Sequence, residues 1–413
     1  MKDWSFSEKI IVRFFTVFVF LFIISFSFPH NYLPDAGKFV APLFEPLVKL
    51  SANTVFGINH YTSHLVSDST DLYVHVFNLF ILSLVFCIIW SFLDKKRKNY
   101  DSLFYWLLVV ARYYLALQLF VYGFNKVFKW QFYLPEPNTL YTPLGSVPPD
   151  LFYWSTMGIS RSYTVFLGIA EVLAASLLLF RRTTLFASLL SVVILVNVLV
   201  INFSFDISVK IYSAFLLLLA LLIAVPDAKR LFYFLFSDKV KEYKKWNPVY
   251  TSPKAHTIYR SVKTIVICFM LFDVLSIYFI TTNFNDDKES RPFFHGAYDV
   301  TLFVKNNDTL QALTTDTFRW KRMFVHRRGY LITQFMNDEM QDYKLEYDTL
   351  QHRLIIEDYE TNEKTDFAYY QMSDTTLVLH GKMKNDSLKV YLKKIKLDAL
   401  PVFQNDFHFT SDY

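Results

Sequence analysis

The sequence predicts a mainly α-helical membrane protein with about seven transmembrane helices, followed by a soluble all-β domain. Three observations support this fold class. Of the 413 residues, 53% are hydrophobic and only 19% are charged, which is typical of a membrane protein. The apolar residues come in blocks long enough to cross a bilayer. After residue 285 the blocks end, and apolar residues alternate with polar ones as in half-buried strands.

Seven apolar blocks have the length of a transmembrane helix, about 17 to 25 residues for roughly 30 Å of hydrocarbon. They lie at about 10–28, 72–93, 103–124, 164–180, 184–201, 207–225 and 262–280. The first block ends near Ser25 and Ser27, a spacing compatible with signal-peptide cleavage, but its apolar region is too long, which favours an uncleaved helix. The stretch from Phe39 to Leu50 is too short and too rich in proline to cross, and we expect it to lie along the membrane interface.

The distribution of basic residues predicts the orientation, because cytoplasmic loops of membrane proteins are enriched in lysine and arginine. Basic residues concentrate in alternate segments: Lys2, Lys9 and Arg13; Lys95, Lys96, Arg97 and Lys98; Arg181 and Arg182; and the region 226–263. The intervening segments are nearly free of them. The sequence therefore predicts a multi-pass protein of the bacterial inner membrane, with a cytoplasmic N-terminus and a periplasmic or extracellular C-terminal domain.

The chain divides into four predicted regions. A two-span region with an outer interfacial loop covers 1–101, a four-span bundle 102–236, a cytoplasmic loop with the seventh span 237–281, and the exported β domain 285–413.

The β domain carries 21 acidic and 17 basic residues, a net charge of −4, whereas the preceding part carries +9. Its period-two pattern, as in Leu388, Val390 and Leu392, predicts a small antiparallel barrel or sandwich. A basic cluster on one of its strands is interpreted as a solvated face, with an anionic partner as the alternative: Arg319, Lys321, Arg322, Arg327 and Arg328.

Two ionisable residues fall near the middle of predicted spans. Arg112 and Glu171 each lie about 12–14 Å from a helix end, at 1.5 Å per residue. Gly168 and Ala175 lie on neighbouring turns around Glu171, and small residues let transmembrane helices approach closely. The sequence therefore predicts a buried Arg112–Glu171 ion pair. Such a pair either only holds two helices in register or marks a functional site.

A short polar segment separates the fifth and sixth spans and predicts a helical hairpin at the outer face. Asp206 and Lys210 have the i,i+4 spacing of an ion pair, and a carboxylate also suits a helix N-terminus. Together these polar residues are expected to form a mouth above the buried pair: Asn197, Asn202, Asp206 and Lys210, with Lys126 from the third span.

Histidine and cysteine give little indication of metal or redox chemistry. His60 and His64 would share one face of a helix, which makes them weak candidates for a metal site because no third ligand lies beside them. Cys87 and Cys268 are the only cysteines, and each lies inside a predicted span. A disulfide framework and dithiol chemistry are therefore not expected.

Three segments resemble the DoxX family of small four-helix membrane proteins, in particular its longer relatives from Bacteroidetes. They read YGFNKVF, FLGIAEVLAASLLLFRRTTLFA and NVLVINFSFDISVKIYSAFLLLLALLIAVPDAKRL, and the resemblance covers about residues 103–236. It implies a DoxX-like four-helix core for the four-span region. It also implies a link to quinone-dependent membrane redox complexes and makes a quinone a candidate cofactor.

The sequence leaves three functions open, and whether the protein is an enzyme stays open with them. The first is a scaffold or subunit of an envelope complex whose exported β domain recruits a protein partner. The second is a membrane component of a quinone-linked redox complex, with Arg112 and Glu171 placing a headgroup or relaying a proton. The third is a transporter of a small solute, for which no inverted repeat or broken helix is evident. Membrane lipid is an expected partner, and nucleic acid is not.

Overall fold

The chain folds into two units. The computed structural model describes residues 3–26, 28, 30–59, 67–236, 253–404 and 410. A helical unit comprises Met1–Gln131 and Ser162–Phe284, and a second unit comprises Phe132–Arg161 and Asn285–Tyr413. The boundary at residue 285 is the one drawn from composition, but 132–161, which was assigned to the four-span bundle, belongs to the second unit.

Nine helices are described in the helical unit. They are α1 (Phe6–Ser25), α2 (Ala36–Val55), α3 (Thr70–Leu93), α4 (Asp101–Val127), α7 (Arg161–Leu178), α8 (Thr184–Ser204), α9 (Lys210–Ala224), α10 (Ala228–Phe236) and α11 (Pro253–Ile280). The helices of the second unit are α5 (Pro137–Leu140) and α6 (Pro149–Ile159).

Within the described residues, six helical segments are long and apolar enough to cross a membrane. They are Thr70–Leu93, Asp101–Val127, Arg161–Leu178, Thr184–Ser204, Lys210–Phe236 and Lys254–Ile280. These segments overlap the second to seventh predicted spans. The first predicted span corresponds to α1, which is not among the six and contains Glu8, Lys9 and Arg13. The chain is thus a multi-pass membrane protein by the length and composition of its helices.

Polar contacts near both ends of α3 hold α1 antiparallel to it. At one end, Arg13 donates hydrogen bonds to Ser91 Oγ (2.7 Å) and to the Tyr100 hydroxyl (2.9 Å). At the other, the His75 ring and the Ser25 hydroxyl are 3.0 Å apart. A capping box starts α1, because Ser5 Oγ accepts from the Glu8 amide and the Glu8 carboxylate accepts from the Ser5 amide. Helix α1 is therefore held against α3 from His75 to Ser91.

The interfacial stretch is part of α2, a longer helix than the sequence indicated. It includes Pro42 and Pro46 and packs against α3 through Val48, Ala52 and Val74. The Ser51 hydroxyl donates a hydrogen bond of 2.6 Å to Asn78 Oδ1 on α3.

The second unit contains an antiparallel β-barrel. Its strands are β1 (Gly296–Lys305), β2 (Asp308–Thr309), β3 (Trp320–Val325), β4 (Tyr330–Phe335), β5 (Met340–Asp348), β6 (Arg353–Asp358), β7 (Lys364–Ser373), β8 (Thr376–Met383) and β9 (Asp386–Lys394). Each strand pairs with the next along the chain, except that β2 pairs only with β1, and β9 pairs with β1. Eight strands therefore close an up-and-down barrel, which confirms the β-rich prediction and selects the barrel over the sandwich.

The barrel interior is filled by large side chains. Phe303, Trp320 and Phe367 are fully buried, and the ring centroids of Phe303 and Trp320 are 5.9 Å apart. On β9 the buried residues are Leu388, Val390 and Leu392, which confirms the alternation read from the sequence. Closure also removes the free edges that an open sheet would expose.

Candidate functional site

A buried ion pair joins α4 and α7 in the helical unit. Lys126 Nζ lies 2.8 Å from Glu171 Oε2 and 3.0 Å from Oε1. Both residues are about 95% buried, with exposures of 5% and 4%. The ammonium also lies 5.5 Å from the centroid of the Tyr122 ring, one turn earlier on α4. Both carboxylate oxygens therefore accept a charge-assisted hydrogen bond, the strong class of such bonds.

Two glycines bring the helices close enough for this pair to form. A Cβ on Gly168 would lie 2.6 Å from the Gly123 carbonyl oxygen, and a Cβ on Gly123 would lie 2.9 Å from the Gly168 carbonyl oxygen. Helical side chains tilt toward the N-terminus of their own helix. Lys126 on α4 and Glu171 on α7 therefore converge on the level of the glycine contact from opposite directions. The predicted close approach at Gly168 is confirmed.

The predicted Arg112–Glu171 pair is wrong. Arg112 and Lys126 are separated by 14 residues on α4, which is about 21 Å along the helix axis. Arg112 Nη1 instead donates a long hydrogen bond of 3.4 Å to Thr184 Oγ1 at the start of α8. The depth estimate failed because it placed both helices by their apolar blocks alone. The Gly123–Gly168 contact fixes the offset between the helices and sets Glu171 level with the last turns of α4.

The hairpin between α8 and α9 contains the predicted Asp206–Lys210 ion pair, with Nζ to Oδ1 at 2.7 Å. The carboxylate at the α9 N-terminus is a different one, however. Asp68 accepts hydrogen bonds from the backbone N–H groups of Lys210 (2.6 Å) and Ile211 (3.0 Å), and it lies 3.9 Å from Lys210 Nζ. Asp68 therefore satisfies first-turn donors of α9, as an N-terminal carboxylate does.

The other polar candidates are separated. Asn202 is buried and donates a hydrogen bond of 3.1 Å to the Ser213 hydroxyl on α9. Asn197 is exposed on α8 and Asp206 is exposed in the hairpin. Since Lys126 pairs with Glu171, these residues do not form one buried polar core with Arg112. His60 and His64 lie outside the described residues.

Asp273 is a buried carboxylate in α11 that the sequence analysis missed. Its Oδ1 accepts hydrogen bonds from the backbone N–H groups of Tyr32 (2.6 Å) and Leu33 (2.8 Å). Its Oδ2 lies 3.5 Å from His30 Nδ1. A lone aspartate in an apolar block is itself a signal of such a contact, because an unpaired charge there is expensive. Its partners, about 240 residues earlier in the chain, are not apparent from the sequence.

A buried carboxylate also organises the barrel unit. Glu136, just before α5, pairs with Arg327 on the β3–β4 turn at 2.5 Å and accepts a hydrogen bond of 3.0 Å from the Arg327 backbone N–H. His295 and His326 lie 3.4 Å and 3.8 Å from its Oε2. These contacts attach the 132–161 segment to the barrel wall.

The titration of this cluster follows from its surroundings. Burial alone would raise the pKa of Glu136. The opposite effects are larger and lower the pKa to about 2: the hydrogen bond with His295, the charge of His326 and the contacts with Arg327. Burial lowers the pKa of His326 to about 4, against the attraction of Glu136. Glu136 is therefore ionised and His326 neutral at neutral pH.

The basic cluster near β3 is largely paired within the barrel unit. Lys321 pairs with Asp338, Arg322 with Asp299 at 2.9 Å, and Arg327 with Glu136. Arg319 is buried and donates to backbone carbonyls, and Arg328 is exposed. The interpretation of this cluster as a solvated face is wrong for Arg319 and Arg327, which are largely buried. Arg328 is exposed, and the side chains of Lys321 and Arg322 are 32% and 22% exposed.

The described residues offer little for metal or thiol chemistry. Within them, no three His, Cys, Asp or Glu side chains group as a metal ion would require. Cys87 is buried, Cys268 is exposed, and both are free thiols.

By its fold, the chain is a multi-pass membrane protein that also contains a β-barrel unit. Over 128 residues, 29% of this chain, the sequence is 33% identical to the uncharacterized protein YwoB of Bacillus subtilis (strain 168), and the match covers 75% of that protein. The chain therefore belongs to the family of YwoB. No family model and no solved structure matches the chain.

Proposed function

We propose that the protein is a scaffold or subunit of an envelope complex, with seven membrane crossings and a barrel unit displayed outside the inner membrane. The main support for the proposal is the composition of the barrel unit. It consists of 285–413 together with 132–161, so the chain passes between the two units three times. A protein whose task is to hold a partner-binding module at the membrane benefits from several connections in place of one flexible linker.

The seventh crossing in this proposal is α1. The contacts of Arg13 and Ser25 with α3 lie 12 residues apart on α1, which is about 18 Å along its axis. The N-terminal residues lie beside the basic α3–α4 connection, because the Trp4 amide donates to the Lys98 carbonyl (3.1 Å) and its ring to Asp101 (3.0 Å). The positive-inside rule then favours a cytoplasmic N-terminus and an outer barrel unit.

The polar groups support a scaffold better than an enzyme. The Lys126–Glu171 pair uses both carboxylate oxygens internally, and the barrel is filled by aromatic and aliphatic side chains. The quinone-linked alternative relied on Arg112 and Glu171 together placing a headgroup or relaying a proton. Glu171 pairs with Lys126, and Arg112 lies about 21 Å from Lys126 along the axis of α4. Membership of the DoxX family, inferred from the motifs, stays part of this proposal.

Affinity purification tests the proposal. The tagged full chain is purified from membranes of the cells that naturally produce it, beside a variant that ends at residue 284. A scaffold is expected to retain envelope proteins in fixed stoichiometry, and the shortened variant is expected to lose them while still inserting in the membrane. Equal retention of a quinone or redox subunit by both proteins, with no partner lost, would contradict the scaffold and favour the redox alternative.

A further inference from the structure

A cleft rich in arginine lies at the end of the helical unit opposite to the Lys126–Glu171 pair. It is formed where α4 begins, α8 begins and α9 ends, and its volume is about 750 Å³. Four arginines line it, Arg112, Arg181, Arg182 and Arg230. The acidic residue in its lining is Asp227, which pairs with Arg230 at 3.8 Å. We name this feature the arginine cleft.

Arg112 is the deepest cation of the arginine cleft. Its side chain is 94% buried, with an exposure of 6%. Beyond the long bond from Nη1 to Thr184, its Nε and Nη2 atoms are buried without a hydrogen-bond partner. A buried guanidinium with unpaired donors is unfavourable in the free protein. An anion that accepts bonds from Nε and Nη2 would remove this penalty, and these two atoms form the edge that arginine uses for bidentate binding.

The start of α8 adds positive potential to the arginine cleft. Its N-cap residue, Thr183, makes no side-chain hydrogen bond to the first-turn N–H groups. Thr184, Leu185 and Phe186 from that first turn line the cleft. The N-terminus of a 21-residue helix carries a partial positive charge that attracts anions. It reinforces the buried Arg112 and is not the basis of the site.

The remaining wall of the arginine cleft is apolar. Leu108 and Val109 come from α4, Leu185 and Phe186 from α8, and Ile223 from α9. Phe186 is exposed on the surface of a candidate membrane span. A volume of about 750 Å³ suits a molecule of tens of atoms rather than a single small ion. The ligand therefore has an anionic head and an apolar body.

We propose that the arginine cleft binds the phosphomonoester headgroup of a membrane lipid. A phosphomonoester carries a charge of about −1.5 to −2 at pH 7, which matches four arginines facing one aspartate. A phosphodiester carries only one charge and a choline headgroup adds a cation, so both are poorer matches. The acyl chains lie against the apolar wall. This inference does not depend on the scaffold function.

Binding is measured with the purified full chain in detergent, by native mass spectrometry and by the shift of its melting temperature. The probes are phosphatidic acid, phosphatidylglycerol, phosphatidylcholine and inorganic phosphate. We expect phosphatidic acid to bind tightest and phosphatidylcholine not to compete. Equal affinity for phosphatidic acid and inorganic phosphate would overturn the lipid part of the proposal, and equal affinity for the three lipids would overturn the phosphomonoester part.

Three variants locate the site. Arg112→Gln is expected to weaken phosphatidic acid binding roughly 10-fold to 100-fold, as loss of charge-assisted hydrogen bonds does. Arg182→Gln removes an exposed cleft arginine and is expected to weaken it about twofold to fivefold. Arg260→Gln is the matched control, because Arg260 is exposed on α11 and does not line the cleft. It is expected to leave binding unchanged.

The stability of lipid-free protein separates binding from a structural role. Because Arg112 is buried with unpaired donors, Arg112→Gln is expected to melt at the same or a higher temperature than the natural chain when no lipid is present. A lower melting temperature together with unchanged phosphatidic acid binding would overturn the proposal. If Arg112→Gln does not fold, Arg182→Gln decides the question, since unchanged binding by that folded variant would also overturn it.

Discussion

Removing one member of the Lys126–Glu171 pair is expected to destabilise the helical unit strongly. In Lys126→Met the carboxylate of Glu171 stays 96% buried, with an exposure of 4%, and loses both of its hydrogen bonds. Breaking a buried ion pair by removing one partner costs about 3–5 kcal/mol. Two charge-assisted hydrogen bonds at roughly 1.5–3 kcal/mol each give a similar range. Water defects in the membrane reduce the figure.

The assay is reversible unfolding of the purified chain in mixed micelles, followed by circular dichroism as the denaturing detergent is increased. A loss of about 3 kcal/mol lowers the ratio of folded to unfolded protein by roughly two orders of magnitude. The double variant Lys126→Met with Glu171→Leu removes both charges together and is expected to recover much of the stability. This recovery is a coupling energy between the two positions.

A second double variant distinguishes the Lys126–Glu171 pair from the Arg112–Glu171 pair that the sequence predicted. Arg112 and Glu171 do not contact each other, so the effects of Arg112→Leu and Glu171→Leu are expected to add without coupling. Coupling between Arg112 and Glu171, and its absence between Lys126 and Glu171, would refute the assignment of the pair.

Three further predictions concern packing, pH and the barrel unit. Gly168→Ala places a Cβ 2.6 Å from the Gly123 carbonyl oxygen, so it should cost about 1–3 kcal/mol in the same unfolding assay, and no loss would contradict the close contact. The pKa of Glu136 is lowered from 4.5 to about 2, so its stabilising contribution is present above pH 4.5 and is lost as the pH falls toward 2. In Glu136→Gln the melting temperature should therefore fall less steeply with acid, and an unchanged pH dependence of the melting temperature would contradict this. A fragment covering 285–413 should give a β-type circular dichroism spectrum but melt lower than the same fragment joined to 132–161, and equal melting would show that this segment does not stabilise the barrel.

Local patterns in the sequence predicted much of the fold. The apolar blocks predicted most candidate spans to within a few residues. The exceptions are α11, which begins at Pro253, well before its block, and the segment Lys210–Phe236, which continues well past the predicted end at 225. The i,i+4 spacing of Asp206 and Lys210 predicted their ion pair, although Asp206 lies in the hairpin turn before α9 and not in the helix. The alternation on β9 predicted its buried face. Each of these features depends on residues that are neighbours in the chain.

The missed features depend on residues far apart in sequence. Asp68 caps α9 across 142 residues, and Asp273 binds a segment about 240 residues away. Glu136 joins Arg327 across 191 residues. Hydropathy gives no information on the offset between two helices, and that offset decides whether Glu171 meets Arg112 or Lys126. The Gly123–Gly168 contact sets it, and either glycine alone is a weak signal.

Cysteine labelling shows on which side of the membrane the barrel unit lies. Cys87 and Cys268 are first changed to serine. Single cysteines are then introduced by Leu350→Cys and Lys96→Cys. Leu350 is 91% exposed on the turn between β5 and β6, and Lys96 is exposed in the α3–α4 connection. Intact cells with a permeable outer envelope are treated with a maleimide that cannot cross the inner membrane. If the barrel unit lies outside the inner membrane, position 350 is labelled in intact cells and position 96 only after the membrane is disrupted. Labelling at position 96 in intact cells, with position 350 protected until disruption, would contradict it.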